Sequence, residues 1–304
     1  MSERTHSIRK YFSLLVSLTL LSVALWKLSG VNWSEAIESA QSVRIQNLLV
    51  ASVFIVSSFL IYAFYDVLAI RWLGKNLAYG SILKVSFIST CVSMNVGFAA
   101  LSGSAMRLAL YPLYGLSLKD ISLSYVKMAF FFASGWASVG GVSCLFLNRY
   151  YGEQLGLPPV LFLFVGWGSV VVSIAYFFWC WNHREVRVGS FVLPVPPFRL
   201  AMGNLLVAVL DIGTSVGVFH LLVPGSSLVE STARFMAGNV VAIASQIPGG
   251  LGVFEWTALE LSQSGGEAAT LGGLLVFRLM FFWIPMVVSL GLWALSSRKK
   301  EGAV

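Results

Sequence analysis

The stretch IQNLLVASVFIVSSFLIYAFY, residues 45–65, decides the fold class. It contains 21 residues and no charge. An α-helix rises 1.5 Å per residue, so a helix of this length is about 30 Å long, which matches the hydrocarbon core of a bilayer. The stretch therefore predicts a membrane-spanning helix.

Apolar runs of this kind recur along all 304 residues of the chain. Only 11% of the residues are charged, whereas a soluble domain carries about 25%. This composition excludes a soluble globular enzyme, a disordered protein and a disulfide scaffold, and uninterrupted apolar runs disfavour a porin-type barrel. We predict an all-α polytopic membrane protein with about six full spans, at residues 11–26, 45–65, 128–148, 159–181, 200–223 and 268–296.

Two further uncharged segments carry polar and helix-breaking residues. They read SMNVGFAALSGSAMRLALYPLYG (93–115) and ASQIPGGLGVFEWTALE (244–260). Ser102, Gly103 and Ser104 are predicted to break the first helix. Pro248, followed by Gly249 and Gly250, is predicted to break the second. We expect two opposed re-entrant helical hairpins, at 85–118 and 231–264, each entering and leaving the membrane on one side.

Basic residues give this arrangement a direction. With a cytoplasmic N-terminus, thirteen Lys and Arg lie on the cytoplasmic side and four on the far side, the bias of a positive-inside topology. The four are Lys27, Arg44, Arg149 and Arg234. Both termini are then cytoplasmic. Residues 1–304 form one integral membrane domain, and its halves, 1–150 and 151–304, are predicted to be an inverted repeat, a recurring transporter architecture.

Shorter segments complete the predicted organisation. Residues 1–28 are interpreted as an uncleaved signal anchor, because no small-residue cleavage site follows the apolar run. Residues 33–44 predict an amphipathic helix on the far surface. The alternating valines of 182–199 predict a small β-hairpin at the membrane surface. The three cysteines have no metal-ligand spacing and are interpreted as small buried hydrophobes.

Charges at membrane depth cost free energy and usually face a polar interior. The candidates are Asp66, Arg107, Lys127, Asp211, Glu255 and Arg278. Backbone N–H groups freed at 102–104, with Arg107 one turn further on, are expected to form a phosphate site. Glu255, within the first turns after Gly249 and Gly250, could complement a helix N-terminus, receive a substrate ammonium or carry a proton.

A structural interpretation stands beside each of these roles. Arg107 and Glu255 could pair with one another, or with Asp66 and Arg278, simply to neutralise buried charge. Lys127 lies near a span end and could reach the interface. Tyr62 and Tyr65 belong to the aromatic residues predicted to form an interface belt.

Catalysis is a weaker interpretation. Ser104 would need a histidine base to act as an intramembrane nucleophile, and only His220 lies within a span. The sequence contains no HExxH zinc motif and no paired-aspartate Mg²⁺ motif. We therefore predict a non-enzyme with no cofactor and no metal site.

Three stretches resemble a known family. YDVLAIRWLG (65–74), NVGFAALSGSAMRLALYPLYGLS (95–117) and SQIPGGLGVFE (245–255) are similar to the transmembrane domain of bacterial lysylphosphatidylglycerol synthase/flippases, the multiple peptide resistance factors. The resemblance covers residues 45–296 and implies translocation of aminoacylated phosphatidylglycerol to the outer leaflet. The chain stops at Val304, so the resemblance is to stand-alone members without the synthase domain. Aminoacyl-tRNA transfer is not carried over.

The combined prediction is a phospholipid flippase of the bacterial cytoplasmic (inner) membrane, for phosphatidylglycerol-type or aminoacylated anionic lipid. The substrate-binding candidates are Asn95, Ser102, Gly103, Ser104, Arg107, Gly249, Gly250, Glu255, Asp66, Asp211 and Arg278. The expected partners are the phospholipid and a separate lipid-modifying enzyme, with no nucleic acid. Two alternatives stay open: an ion-coupled carrier of a small solute, and a non-transporting partner of that enzyme.

Overall fold

A computed structural model describes residues 30, 32–96, 99–182, 185–188, 191–224, 227–263 and 266–301. Helices dominate these ranges. In chain order they are α1 (Trp33–Gln41), α2 (Ile45–Trp72), α3 (Tyr79–Val96), α4 (Ala99–Leu110), α5 (Leu118–Phe146), α6 (Asn148–Leu155), α7 (Pro159–Asn182), α8 (Phe198–Leu222), α9 (Leu228–Ser245), α10 (Val253–Glu260), α11 (Glu267–Arg278) and α12 (Ile284–Glu301). A π-helical turn, Leu279–Trp283, joins α11 to α12.

Within the described residues, five helical segments are long and apolar enough to cross a membrane. They are α2, α5, α7, α8 and the continuous segment Glu267–Leu295. These correspond to five of the six predicted spans, which are thus confirmed as apolar helices of spanning length. The remaining predicted span, 11–26, lies outside the described residues, as does the predicted signal anchor.

Two shorter predictions are confirmed as secondary structure. The amphipathic segment after the first predicted span forms α1, and the Asn32 side chain caps this helix by accepting from the backbone N–H of Glu35. The valine-rich loop forms an antiparallel hairpin of β1 (Glu185–Val188) and β2 (Phe191–Pro194). Most of the chain between these elements is helical.

The long helices pack through small residues. Helix α2 lies along α8, and α5 packs against α2, α7 and α8. A Cβ atom added at Gly135 on α5 would lie only 2.5 Å from the Ala208 Cβ atom on α8. A glycine at this crossing therefore lets the two helices approach closely, as small residues do in membrane bundles.

Each predicted break is flanked by two helices that pack against each other, α3 with α4 and α9 with α10. The break in the first pair does not occur at Ser102, Gly103 and Ser104, as predicted, because α4 continues through them. The described part of α3 ends at Val96, and α4 begins at Ala99. Gly103 serves packing instead, since an added Cβ atom would lie 3.2 Å from the Ser93 Cβ atom on α3.

The second break falls where the sequence predicts it. Helix α9 ends at Ser245, a short 3₁₀ turn covers Pro248–Gly250, and α10 begins at Val253. Gly249 and Gly250 have φ values of 62° and 59°, a region that glycine adopts without strain. Proline and two glycines therefore make this turn, by the predicted mechanism.

The two breaks meet in the folded protein. The 3₁₀ turn Pro248–Gly250 packs against α3. A Cβ atom added at Gly249 would lie 3.2 Å from the carbonyl oxygen of Met94, near the end of α3. We call α3–α4 the first hairpin and α9–α10 the second hairpin. The second tip, Pro248–Gly250, lies against the end of α3, which we call the first tip.

Candidate functional site

The first hairpin is attached to α2 by a buried ion pair. Arg107 on α4 donates from Nε to Oδ1 of Asp66 at 2.9 Å and from Nη2 to Oδ2 at 2.7 Å. The Tyr111 hydroxyl donates to the same carboxylate at 3.2 Å. Both charged side chains are almost fully buried, with 2% and 1% exposure. This two-fork geometry is the strong form of an Arg–carboxylate contact.

The second hairpin is held by a matching pair. Arg278, at the end of α11, donates to both carboxylate oxygens of Glu255 on α10. It also donates to the carbonyl oxygens of Gly249 and Gly250 in the turn. Glu255 in turn accepts from the backbone N–H of Gly252 at 2.8 Å, capping the first turn of α10. The structure shows Arg107 paired with Asp66 and Glu255 paired with Arg278, and not Arg107 and Glu255 paired with each other.

A cavity of about 310 Å³ lies between the two hairpins and the long helices. Its lining is mostly apolar and aromatic. The lining residues include Phe59, Tyr62, Phe132, Trp136, Phe235, Phe254, Phe277, Phe281 and Phe282, with Gly249 and Gly250 from the second tip. Two charged residues, Arg107 and Asp211, contribute to the wall. The cavity therefore combines an apolar surface with a small polar region.

Asp211 is the charge in this cavity that lacks a basic partner among the described residues. It lies near the middle of α8 and is 5% exposed. Its carboxylate accepts from the Ser58 hydroxyl at 3.5 Å and from the Tyr65 hydroxyl at 3.4 Å. Both contacts are at the long end of the hydrogen-bond range. The charge of Arg107, by contrast, is already balanced by Asp66.

The other predicted residues lie near the cavity, but their contacts hold the helices together. Asn95 donates to the carbonyl oxygens of Cys91 and Phe282, which ties the first tip to the segment after α11. Residues 102–104 lie within α4 and do not line the cavity. Lys127 donates to the carbonyl oxygen of Trp72 at 3.0 Å, with its ammonium 4.5 Å from the Trp72 ring centre.

Sequence reasoning missed a third buried pair. Arg234, placed in the far-side count, is fully buried on α9, beside Glu230 at 3.5 Å. It also donates to the carbonyl oxygen of Ala258 on α10, so it joins the two helices of the second hairpin. The signal was present, because Glu230 and Arg234 have the i, i+4 spacing of helical ion pairs.

The aromatic belt prediction was wrong for two tyrosines. Tyr62 lines the cavity, and Tyr65 is fully buried beside Asp211. Within the described ranges, no three His, Cys, Asp or Glu side chains come together in a group that could hold a metal ion. What the described residues offer a ligand is thus an apolar chamber with one carboxylate and one paired guanidinium.

Two known proteins are similar to this chain over most of its length. An uncharacterised protein of Synechocystis, slr0712, is 28% identical over 90% of this chain and 88% of its own length. The inner membrane protein YbhN of Escherichia coli is 27% identical over 86% of this chain and 83% of its own. With five helices of spanning length, the conclusion is direct. The chain is a helical membrane protein.

A third similarity concerns lipid. The phosphatidylglycerol lysyltransferase of Staphylococcus aureus is 23% identical over 87% of this membrane protein, which spans only 31% of that enzyme. No protein-family model matches the chain. The similarity to YbhN and to the lysyltransferase fits a lipid-related role in a membrane.

Proposed function

We propose that the protein translocates a phospholipid across the bacterial cytoplasmic membrane, with the headgroup passing through the cavity between the two hairpins. The observation that carries this proposal is the cavity itself, an aromatic chamber with Arg107 and Asp211 in its wall. Its volume of about 310 Å³ is at the lower end of ligand sites, which span roughly 300–1,000 Å³. It accommodates a headgroup, while two acyl chains stay in the bilayer.

Arg107 is the proposed contact for the headgroup phosphate. A guanidinium has five N–H donors. Two of them bind Asp66, one binds the Gly103 carbonyl oxygen and one contacts the Met128 sulfur at 3.2 Å, so one N–H donor remains for a ligand in the cavity. Asp66 and Tyr111 fix the orientation of the guanidinium before the substrate arrives, which lowers the entropic cost of binding.

Asp211 is the proposed contact for a headgroup amine. Glu255, the other candidate, already binds Arg278 and the Gly252 N–H. Because the Arg107 charge is balanced by Asp66, the net charge that Asp211 gives the cavity is negative. This favours a headgroup that carries both a phosphate and an ammonium, such as an aminoacylated phosphatidylglycerol, over phosphatidylglycerol itself.

Helix lengths support re-entrant hairpins. With a rise of 1.5 Å per residue, the 12 residues of α4 extend about 18 Å and the 8 residues of α10 about 12 Å. Neither reaches across a hydrocarbon core of about 30 Å. We therefore propose that each hairpin returns to the side from which it enters.

The two ion pairs support an inverted repeat. In the first half the hairpin carries the arginine, Arg107, and a long helix carries the acid, Asp66. In the second half the hairpin carries the acid, Glu255, and the adjoining long helix carries Arg278. We propose that the two halves use the same kind of ion pair to hold their hairpins, with the acidic and basic positions exchanged. We also propose that both termini lie on the cytoplasmic side, as the distribution of basic residues favours.

Translocation in liposomes tests the proposal. Purified protein is reconstituted, and movement of acyl-labelled phosphatidylglycerol, its lysyl ester and a polyprenyl phosphate is compared with empty liposomes. We expect the lysyl ester to move fastest. Arg107→Ala would leave the buried Asp66 carboxylate without its positive partner. The variant Asp66→Asn/Arg107→Gln therefore removes both charges together, and it should abolish lipid movement. Lys119→Ala removes an exposed charge outside the cavity and should not.

A small-solute carrier is the second candidate, because a cavity of this volume could enclose a whole small cation beside Asp211. Uptake of small amines by liposomes that move no lipid would favour it. A non-transporting partner of a separate lipid-modifying enzyme is the third. Co-purification of such an enzyme, with no movement of lipid or solute by the chain alone, would favour that role.

A further inference from the structure

The described part of the chain contains four buried carboxylates: Asp66, Asp211, Glu230 and Glu255. Three of them have an arginine within 4 Å, as described above. Among the described residues, the hydrogen-bond partners of the Asp211 carboxylate are hydroxyl groups. A lone charge at this depth of a spanning helix is costly, so the carboxylate requires a positive partner that the described residues do not supply.

The ionisable groups around Asp211 do not remove this requirement. Those facing the cavity are Tyr62 and Tyr125, with Arg107, whose charge is balanced by Asp66. Tyr65, beside Asp211, is neutral and donates its hydroxyl. Helices α7, α9 and α11 also pack against α8. The ionisable side chains of these three helices do not line the cavity. They are Tyr176, Cys180, Glu230, Arg234, Glu267 and Arg278.

The surroundings suit a carboxylate that changes partner. The Ser58 hydroxyl lies 3.5 Å from one carboxylate oxygen and 3.4 Å from the Ser215 hydroxyl. Hydroxyls both donate and accept, so the same cage can donate to a carboxylate and accept from a carboxylic acid. Because Asp211 lines the cavity, either an ammonium or a proton carried by water can reach it.

We propose that Asp211 makes the protein an exchanger, in which a lipid ammonium and a proton occupy the same carboxylate alternately. This inference rests on the proposed lipid translocation. The ammonium binds the carboxylate as an ion pair and crosses with its lipid. When it leaves, one proton from water binds the carboxylate and neutralises it for the return. On the side where the lipid first bound, the carboxylic acid releases its proton to water as the next ammonium binds.

Exchange of this kind has a quantitative consequence. One proton moves against each lipid, so at zero membrane potential the lipid accumulates in the leaflet that faces the acidic compartment. A gradient of one pH unit gives an equilibrium enrichment of up to about tenfold, since one unit corresponds to a tenfold ratio of proton activity. A passive pathway in the protein gives no enrichment beyond that of empty liposomes.

The test uses liposomes with a pH gradient of one unit and a membrane potential clamped at zero. Acyl-labelled lysyl-phosphatidylglycerol is followed in both leaflets, and phosphatidylglycerol serves as the lipid without an amine. We expect enrichment of the lysyl lipid on the acidic side, above empty liposomes, for the wild type only. Asp211→Asn, which keeps the shape of the side chain, should lose it. Asp120→Asn removes the same charge outside the cavity and should keep it.

Two results would overturn the exchange: lysyl lipid that moves without regard to the gradient, or undiminished enrichment by Asp211→Asn. If the wild type moves no lipid at all, the translocation proposal is refuted. The role of Asp211 is then tested separately, by measuring the protons released when lipid binds. Lysyl-phosphatidylglycerol is then added to detergent-solubilised protein in weak buffer between pH 5 and 8. The wild type should release up to about one proton per bound lipid and Asp211→Asn none; equal release contradicts the exchange.

Discussion

Replacing Arg278 by methionine should destabilise the protein severely, because this side chain holds the second hairpin by four hydrogen bonds. Two go to Glu255 and two to the carbonyl oxygens of Gly249 and Gly250. Without Arg278, Glu255 stays 6% exposed, and among the described residues it keeps the hydrogen bond from the Gly252 N–H. A charge is then buried without a counter-charge.

The expected magnitude follows from this burial. Removing one partner of a buried ion pair costs about 3–5 kcal/mol, whereas replacing both partners by neutral groups of similar volume costs much less. Arg278→Met alone should therefore lower the free energy of unfolding by about 3–5 kcal/mol. Glu255→Gln/Arg278→Met should recover at least about 2 kcal/mol of that loss, since contacting residues couple by up to about 3 kcal/mol.

Thermal unfolding in detergent measures both variants. At about 2–4 °C per kcal/mol, Arg278→Met should lower Tm by at least about 6 °C, and the double variant by clearly less. Lys119→Met is the control, because it removes an exposed basic residue of α5. A Tm for Arg278→Met within 2 °C of the wild type would refute this role of the ion pair, and so would a double variant whose Tm is no higher than that of Arg278→Met.

Three further substitutions test the packing and the site. Gly135→Ala should lower Tm, since its Cβ atom would overlap Ala208 and overpacking costs about 1–3 kcal/mol, whereas the Cβ atom of Gly168→Ala on α7 meets nothing within 4 Å and should not lower Tm. Arg107→Lys keeps the charge but loses the two-fork contact with Asp66, so lipid translocation should fall about tenfold or more while expression is retained; an unchanged rate would argue against phosphate binding there. Gln246→Gly should raise the free energy of unfolding by about 1 kcal/mol, because Gln246 has a φ of 55°, and unchanged thermal unfolding would contradict that strain.

The spans could be predicted because desolvation acts locally and adds up along the chain. A run such as 45–65 is apolar whatever it contacts, so its helix follows from composition alone. Pro248 and the glycines after it encode their own turn in the same way. The predicted break at 102–104 was wrong, because serine and glycine favour close helix packing as well as helix breaks. Gly103 lies within a continuous helix and packs against Ser93.

A helical membrane protein, two interrupted segments and a small set of charged residues in apolar surroundings can all be inferred from the sequence alone. Which of these charges neutralise one another depends on the tertiary structure. Asp66 and Arg107 are 41 residues apart and Glu255 and Arg278 are 23 apart, so hydropathy and local spacing contain no information about either pair. The lack of a basic partner for Asp211 among the described residues is likewise a property of the assembled helices, because whether a charge is compensated depends on which side chains surround it in space.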